Sequence, residues 1–279
     1  MSFPKVLYKY RNFNDFTLMS LINQSAWFSG AKQLNDPFDC QLTFDKYVPS
    51  KDQFLEKVEL ARKELSKKLG KPVTLNLPPE CFDGDQLSEV YCRNIDDFRS
   101  QIESHASRVG VLSLSENGDN TTMWSHYGSS HSGLCIGYNM EVLAKRYPLQ
   151  KLLHKVNYEP ALEISFNPFD KYAECCCGND QYGYKKVATE MLTVKSDDWK
   201  YESEWRIING GIGNFDLGNE AIESIYFGLK STVDMKITVS NILKAFPVNF
   251  YQMVRSGSGL AVEPEFMNES SKYWTQEAE

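Results

Sequence analysis

Residues 199–210 read WKYESEWRIING, and the fold turns on whether this run is a strand or a helix. The β-branched and aromatic content of its second half, closed by glycine, predicts a strand. Strand side chains alternate between two faces, so Glu202, Glu204 and Arg206 fall on one face and Tyr201, Ser203 and Trp205 on the other. Two carboxylates side by side repel unless a cation lies near, and Arg206 is next along that face. Two readings follow: a solvated strand edge with one salt bridge, or a carboxylate pair that does chemistry.

The same strand signals recur on both sides of this run. Upstream, KVLYKYR (5–11), AWF (26–28), RVGVLSLSE (108–116), GLCIGY (133–138) and KVNYEP (155–160) read as strands; downstream, AIESIYFGL (221–229) and AFPVNFYQMV (245–254) do. Helical periodicity appears between them. NDFTLMSLINQS is capped by Asn14 or Asp15, NTTMWSHYG (120–128) is a short turn of helix, and YGYKKVATEMLTVKS (182–196) is helical throughout. The clearest helix covers about 50–70: Ser50 and Gln53 form a capping box, Phe54, Val58, Ala61, Leu65 and Leu69 make one stripe, and Gly70 stops it. A second covers about 86–104, with Leu87, Val90, Tyr91, Ile95, Phe98 and Ile102 inward. The pattern predicts a single α+β domain over 1–279, a mixed and mainly antiparallel sheet with a helical insertion at about 50–105. From about residue 256 the chain reads as a polar surface tail.

Composition narrows the function classes. A net charge of −7 and few clustered cations argue against an extended nucleic-acid surface. No apolar run reaches signal-peptide or membrane-span length, so a cytoplasmic location and no membrane partner are expected. Seven cysteines, three of them consecutive at Cys175, Cys176 and Cys177, make a poor disulfide framework and fit a reducing compartment. The four histidines offer no zinc spacing. GGIGNFD (210–216) lacks the third glycine of a dinucleotide fingerprint and reads as a hairpin loop.

Three stretches carry candidate chemistry. Arg11 ends the first strand on the face opposite Val6, Tyr8 and Tyr10, where a guanidinium fork suits a phosphate or pyrophosphate. In MWSHYGSSHSGLCIGY (123–138), Trp124 and Tyr127 share one side of a short helix and His126 and His131 bracket Gly128, a set that can stack on and bond a nucleotide base. In NDPFD (35–39), Pro37 with Asn35, Asp36 and Asp39 is turn chemistry first.

LYKYR (7–11), WFS (27–29) with NDPFD, WSHYG (124–128) with HSGLCIGY (131–138), and WKYESEWRI (199–207) with SIYFG (224–228) together resemble a widespread bacterial family of domains of unknown function, over about residues 7–230. An arginine ending a first strand, a serine on a second strand and a Glu-x-Glu just before a late strand, in that order, also resemble the Arg-Ser-Glu arrangement of ADP-ribosyltransferases. That resemblance implies an ADP-ribosyltransferase-like fold and an enzyme that cleaves NAD and passes ADP-ribose to an unknown protein or nucleic-acid acceptor, as a bacterial toxin, defence effector or housekeeping enzyme. It implies that Arg11 holds the pyrophosphate, Ser29 braces the nicotinamide pocket, Glu204 bonds the nicotinamide ribose and Glu202 orients or deprotonates the acceptor. Trp27, Phe28 and Tyr201 are candidates for an aromatic wall, with His126 and Tyr127 beside the cofactor. The chain departs from the pattern in reading WFSG where the transferases favour Ser-Thr-Ser, and Lys9 competes with Arg11. Two alternatives stay open: a metal-dependent nuclease or phosphoesterase with Mg²⁺ gathered by Asp36, Asp39, Glu202 and Glu204, and a non-catalytic partner-binding domain presenting tyrosine-rich strands.

Overall fold

A computed structural model describes residues 3–36, 39–40, 48–74, 77, 79–160, 168–169, 171–173, 183–257 and 261–275. The chain divides into two compact units. The first comprises Met1–Ser29, Gly110–Tyr158 and Asp197–Glu279; the second comprises Gly30–Val109 and Glu159–Ser196.

The strands are β1 (Val6–Arg11), β2 (Ser25–Phe28), β3 (Phe82–Asp83), β4 (Gln86–Leu87), β5 (Gly110–Ser115), β6 (Leu134–Asn139), β7 (Leu153–Lys155), β8 (Asn157–Glu159), β9 (Val194–Ser196), β10 (Glu204–Asn209), β11 (Gly213–Asp216), β12 (Ile222–Phe227), β13 (Asn249–Arg255) and β14 (Val262–Met267). The helices are α1 (Asp15–Ile22), α2 (Lys51–Leu69), α3 (Glu89–Ala106), α4 (Thr121–Tyr127), α5 (Met140–Arg146), α6 (Leu149–Leu152), α7 (Gly183–Met191) and α8 (Val233–Leu243).

The first unit is built on an eight-stranded sheet of order β14-β13-β12-β6-β1-β5-β10-β7. Every pairing in it is antiparallel except β12 with β13. Alternation sorts its core into two layers. Leu7, Leu112, Leu134, Ile136, Ile207, Ile225 and Phe227 form one face, packed with Leu21 of α1, Leu143 of α5 and Val239 of α8. On the other face, Tyr10, Cys135 and Met253 pack with Met123 and Trp124 of α4. The second unit holds α2, α3 and α7, with Phe54, Val58, Tyr91 and Ile95 in its own core.

Local chemistry accounts for the ends of these elements. Asn14 caps α1 by accepting from the Thr17 N–H at 3.0 Å. Ser50 and Gln53 close the expected capping box, and Gly70 ends α2 at φ +64°, a left-handed turn that glycine takes without strain. Gly110 matters for packing: a Cβ there would run into the Gly211 carbonyl oxygen and the Phe28 Cβ. Gly110→Ala is therefore expected to cost about 1–3 kcal/mol, read as a lower urea midpoint at unchanged slope.

The structure departs from the sequence reading in several places. The strand of the opening stretch begins at Glu204; Asp197–Glu202 is a 3₁₀ turn, so Glu202 does not share a strand face with Glu204 and Arg206. The break sits at Ser203, whose φ is +45°. It is held by tertiary bonds from the end of β5: Ser115 Oγ donates to the Glu202 carbonyl at 2.7 Å and the Glu116 N–H to the Ser203 carbonyl at 3.1 Å. β10 lies between β5 and β7, so it is no sheet edge. In α3, Val90 is exposed while Tyr91, Ile95, Phe98 and Ile102 are buried, and Leu87 belongs to β4. The stretch at 182–196 is helical only to Met191 and then forms β9. Part of the glycine-rich stretch at 210–216 is β11, paired with β2. Part of the expected polar tail is β14, whose Val262 and Met267 are buried against the core. The triple cysteine and Pro37 lie outside the described residues. No helix among the described residues is long and apolar enough to cross a membrane.

Candidate functional site

A cavity of about 630 Å³ opens at the C-terminal end of β1, within the first unit. Arg11, Asn12, Trp27, His126, Tyr127 and Asn214 stand on its wall. That volume falls in the range of small-molecule sites. Its origin is in the strand pairing: β1 matches β6 along all six of its residues but meets β5 only at Tyr8 opposite Ser115, so the two strands part beyond that point.

Each wall residue is fixed by its element. Trp27 is the outward residue of β2, alternating with buried Ala26 and Phe28, and sits opposite Asn214 of β11. His126 and Tyr127 ride on α4, which is anchored in three ways. Asn120 caps it by accepting from the Thr122 and Met123 N–H groups, Trp124 donates from Nε1 to the Gly118 carbonyl at 3.0 Å, and the Trp124 ring meets Tyr10 edge to face at 5.2 Å. The chain then leaves α4 through Gly128 and three residues of positive φ, Ser129, Ser130 and His131. A Cβ at Gly128 would strike the Trp124 ring.

Arg11 is the unusual member. Its Nε is buried and meets no hydrogen-bond acceptor among the described residues. A buried donor left unmade costs free energy, so the guanidinium is held ready for an acceptor that arrives from outside.

Behind the wall lies a network of charges. Tyr127 donates from its hydroxyl to Glu202 Oε1 at 2.6 Å, and the Tyr201 hydroxyl meets His126 Nδ1 at 3.0 Å. Glu202 and Glu204 are both buried. Glu204 is gripped by Arg206, whose Nε and Nη2 each donate to one carboxylate oxygen at 2.9 Å, and the guanidinium is wholly buried. Lys9 reaches across the parting of β1 and β5 to donate to the Ser113 carbonyl at 2.8 Å. Burial, then the charge of Arg11, pull its pKa from 10.5 down to about 7, against the opposing pull of Glu204 and Glu202. The two carboxylates therefore act in one electrostatic neighbourhood with Lys9, Arg11 and Arg206.

A pH dependence follows. Folded Lys9 releases its proton near pH 7, whereas the unfolded chain keeps it to about 10.5. Between those values the unfolded state binds the extra proton, so stability rises as pH is raised from 7 toward 10.5, and the cost of the buried ammonium is present in full below 7. Unfolding free energy measured at pH 6.5 and 9.5 should show this gain in the native chain and lose it in Lys9→Met.

Of the residues singled out from sequence, Arg11, Trp27, His126 and Tyr127 meet at the cavity. Tyr201 and Glu202 back it through their bonds to His126 and Tyr127. Glu204 is not on the wall: it lies on the Tyr8 and Tyr10 face of the sheet, since Ser115 pairs with both Glu204 and Tyr8, and its carboxylate is held by Arg206. Ser29 is joined to Val111 by a pair of backbone hydrogen bonds and does not line the cavity either. Phe28 is buried in the core against Phe215. Asp36 and Asp39 belong to the second unit, where buried Asp39 pairs with Lys195 at 3.6 Å. Sequence reasoning passed over Asn12 and Asn214. The signal for Asn214 is its place opposite Trp27, which no periodicity within its own segment reveals.

Residues 123–207 match the family model described as Protein of unknown function (DUF2971). The match is narrower than the span of about 7–230 expected from the sequence blocks. It runs from α4 to β10 and includes His126, Tyr127, Tyr201, Glu202 and Glu204. No curated protein and no solved structure matches the chain.

Proposed function

We propose that the cavity binds NAD and that the chain is an ADP-ribosyltransferase-like enzyme that passes ADP-ribose to a macromolecular acceptor. One observation carries this reading: Arg11, with a buried Nε that has no acceptor among the described residues, faces a cavity that also offers Trp27, Tyr127 and His126. An unmet guanidinium beside aromatic rings and neutral amides is the chemistry a nucleoside diphosphate asks for. Arg11 takes the diphosphate, the Trp27 and Tyr127 rings flank a flat base or nicotinamide, and Asn12 and Asn214 bond ribose hydroxyls or the carboxamide.

In the reaction, the bond between ribose C1 and the nicotinamide nitrogen breaks and its electron pair leaves with nicotinamide. The acceptor's nucleophile then bonds to C1 and gives up its proton. Positive charge develops on the ribose as the bond breaks, and a preorganised carboxylate lowers that barrier. Glu202 suits this role better than Glu204, because Glu202 meets a wall residue, Tyr127, whereas both Glu204 oxygens are held by Arg206. Glu204 and Arg206 form a buried ion pair of their own, and neither lines the cavity.

The test is to incubate the purified chain with NAD labelled on its adenylate part and a cell extract, with magnesium or with a chelator. Label should pass to a macromolecule under both conditions and be lost in Arg11→Gln and Glu202→Gln. Metal-dependent cleavage of nucleic acid without NAD would instead favour the phosphoesterase reading. Among the described residues no group of three or more His, Cys, Asp or Glu is arranged to hold a metal ion.

A further inference from the structure

The acceptor's nucleophile gives up a proton as it bonds to ribose C1, and a positioned side chain that takes this proton lowers the barrier. The cavity offers few groups for the task. Of the described residues that line it, the ionisable ones are Tyr10, Arg11, His126 and Tyr127. A guanidinium stays charged and has no lone pair to offer. Both phenols keep their protons and donate them within the fold, Tyr10 to the Asn117 carbonyl at 2.7 Å and Tyr127 to Glu202 Oε1 at 2.6 Å, and burial pushes Tyr10 far above the usual range of a phenol. Glu202, expected from the sequence pattern to deprotonate the acceptor, is buried and does not line the cavity. His126 is the remaining group, and imidazole is the side chain that takes and gives a proton near neutral pH.

The geometry around His126 suits that role. The residue is exposed in the last turn of α4, where an acceptor arriving from solvent can reach it, and it lines the cavity that holds Arg11. Its Nδ1 meets the Tyr201 hydroxyl at 3.0 Å, and its ring stands edge to face with the rings of Tyr201 at 5.8 Å and Tyr127 at 6.2 Å. Tyr201 is tied back to the cap of the same helix, because Asn120 Nδ2 donates to its carbonyl at 3.1 Å. Nε2, the other ring nitrogen, meets no hydrogen-bond partner among the described residues. One ring nitrogen is therefore anchored and the other is open.

We propose that His126 is the general base of the transfer and that the acceptor is a neutral hydroxyl, an inference that rests on the NAD reading of the cavity. The His126 Nδ1 hydrogen is donated to the Tyr201 oxygen, which leaves the lone pair on Nε2. As the C1–N bond breaks and its electron pair leaves with nicotinamide, the hydroxyl oxygen bonds to C1 and its proton passes to Nε2. The positive charge of the nicotinamide ring thus ends on the imidazolium, which later returns the proton to water. The lining selects the acceptor class. A carboxylate acceptor has no proton to lose and needs no base. An ammonium or guanidinium acceptor would meet Arg11 in a cavity that no aspartate or glutamate lines among the described residues. A neutral hydroxyl needs the base and meets no repulsion.

The test follows NAD labelled on its adenylate part with the full chain in water, with methanol as a neutral hydroxyl probe and with agmatine as a guanidinium probe. The native chain should form ADP-ribose and methyl ADP-ribose, and little agmatine adduct. His126→Ala, folded by its melting curve, should lower kcat for both hydroxyl products about 100-fold, the scale of a lost general base, with a smaller change in KM. Free imidazole added to His126→Ala should restore the rate in a concentration-dependent way, which a merely structural role would not allow. Tyr201→Phe keeps the ring and removes the bond to Nδ1; it should lower kcat less than His126→Ala does and gain nothing from imidazole. A kcat for His126→Ala within about 3-fold of native, or a loss confined to KM that imidazole leaves in place, would overturn the role of His126 while the NAD reading stands. Agmatine outcompeting methanol would overturn the hydroxyl acceptor. If the native chain leaves NAD intact with every probe, the NAD reading itself fails and the base falls with it.

Discussion

Arg11→Gln is expected to weaken NAD binding by about 10- to 100-fold, the range for losing charge-assisted hydrogen bonds to a diphosphate. The same substitution should leave the melting temperature unchanged or raise it. The reason is that Arg11 Nε is buried without an acceptor among the described residues, so removing it relieves a cost rather than breaking a bond. Loss of ligand affinity without loss of stability is the pattern of a residue kept for binding. Calorimetric titration of NAD into both proteins, beside their melting curves, checks it. A variant that melts lower yet binds NAD as before would assign Arg11 to the fold.

The second large effect concerns stability. Arg206→Ala should cost about 3–5 kcal/mol, because it strips the paired donors from a buried carboxylate. Replacing both partners, as Glu204→Leu with Arg206→Met, should recover much of that loss, since neither charge then has to be buried alone. Urea unfolding of the two variants separates these outcomes. If the single and double variants are equally unstable, the pair acts through shape and not charge. The prediction also bears on catalysis: the double variant, once folded, should bind NAD with affinity close to native, because neither residue touches the cavity.

What could be read in the sequence divides along physical lines. β1, α1 and α2 were legible because their signals are local: a strand of alternating faces, an asparagine cap, a capping box and a stop glycine. The ion pair of Glu204 with Arg206 was legible too, since alternation alone puts i and i+2 on one face. Its burial was not, because that depends on β10 lying between β5 and β7. The same alternation misplaced Glu202. The turn at Ser203 is imposed by bonds from Ser115 and Glu116, nearly ninety residues away, and no local pattern encodes them. β14 was hidden for a related reason: VEPEFM carries a proline and two glutamates, which suit an edge strand and look like a tail. The candidate site was half legible. Arg11, Trp27, His126 and Tyr127 were chosen for their chemistry and meet at one cavity. Ser29 and Glu204 stay off its wall because Ser29 bridges Val111 and Glu204 is bound by Arg206, tertiary pairings that the sequence of each strand alone does not state.

The most direct test of the central claim is nicotinamide release. Purified chain mixed with NAD, with or without a cell extract, should liberate free nicotinamide, and Arg11→Gln and Glu202→Gln should each reduce the rate by at least 10-fold while remaining folded. Intact NAD after prolonged incubation with folded chain and extract, or release that both variants sustain at the native rate, would contradict the account.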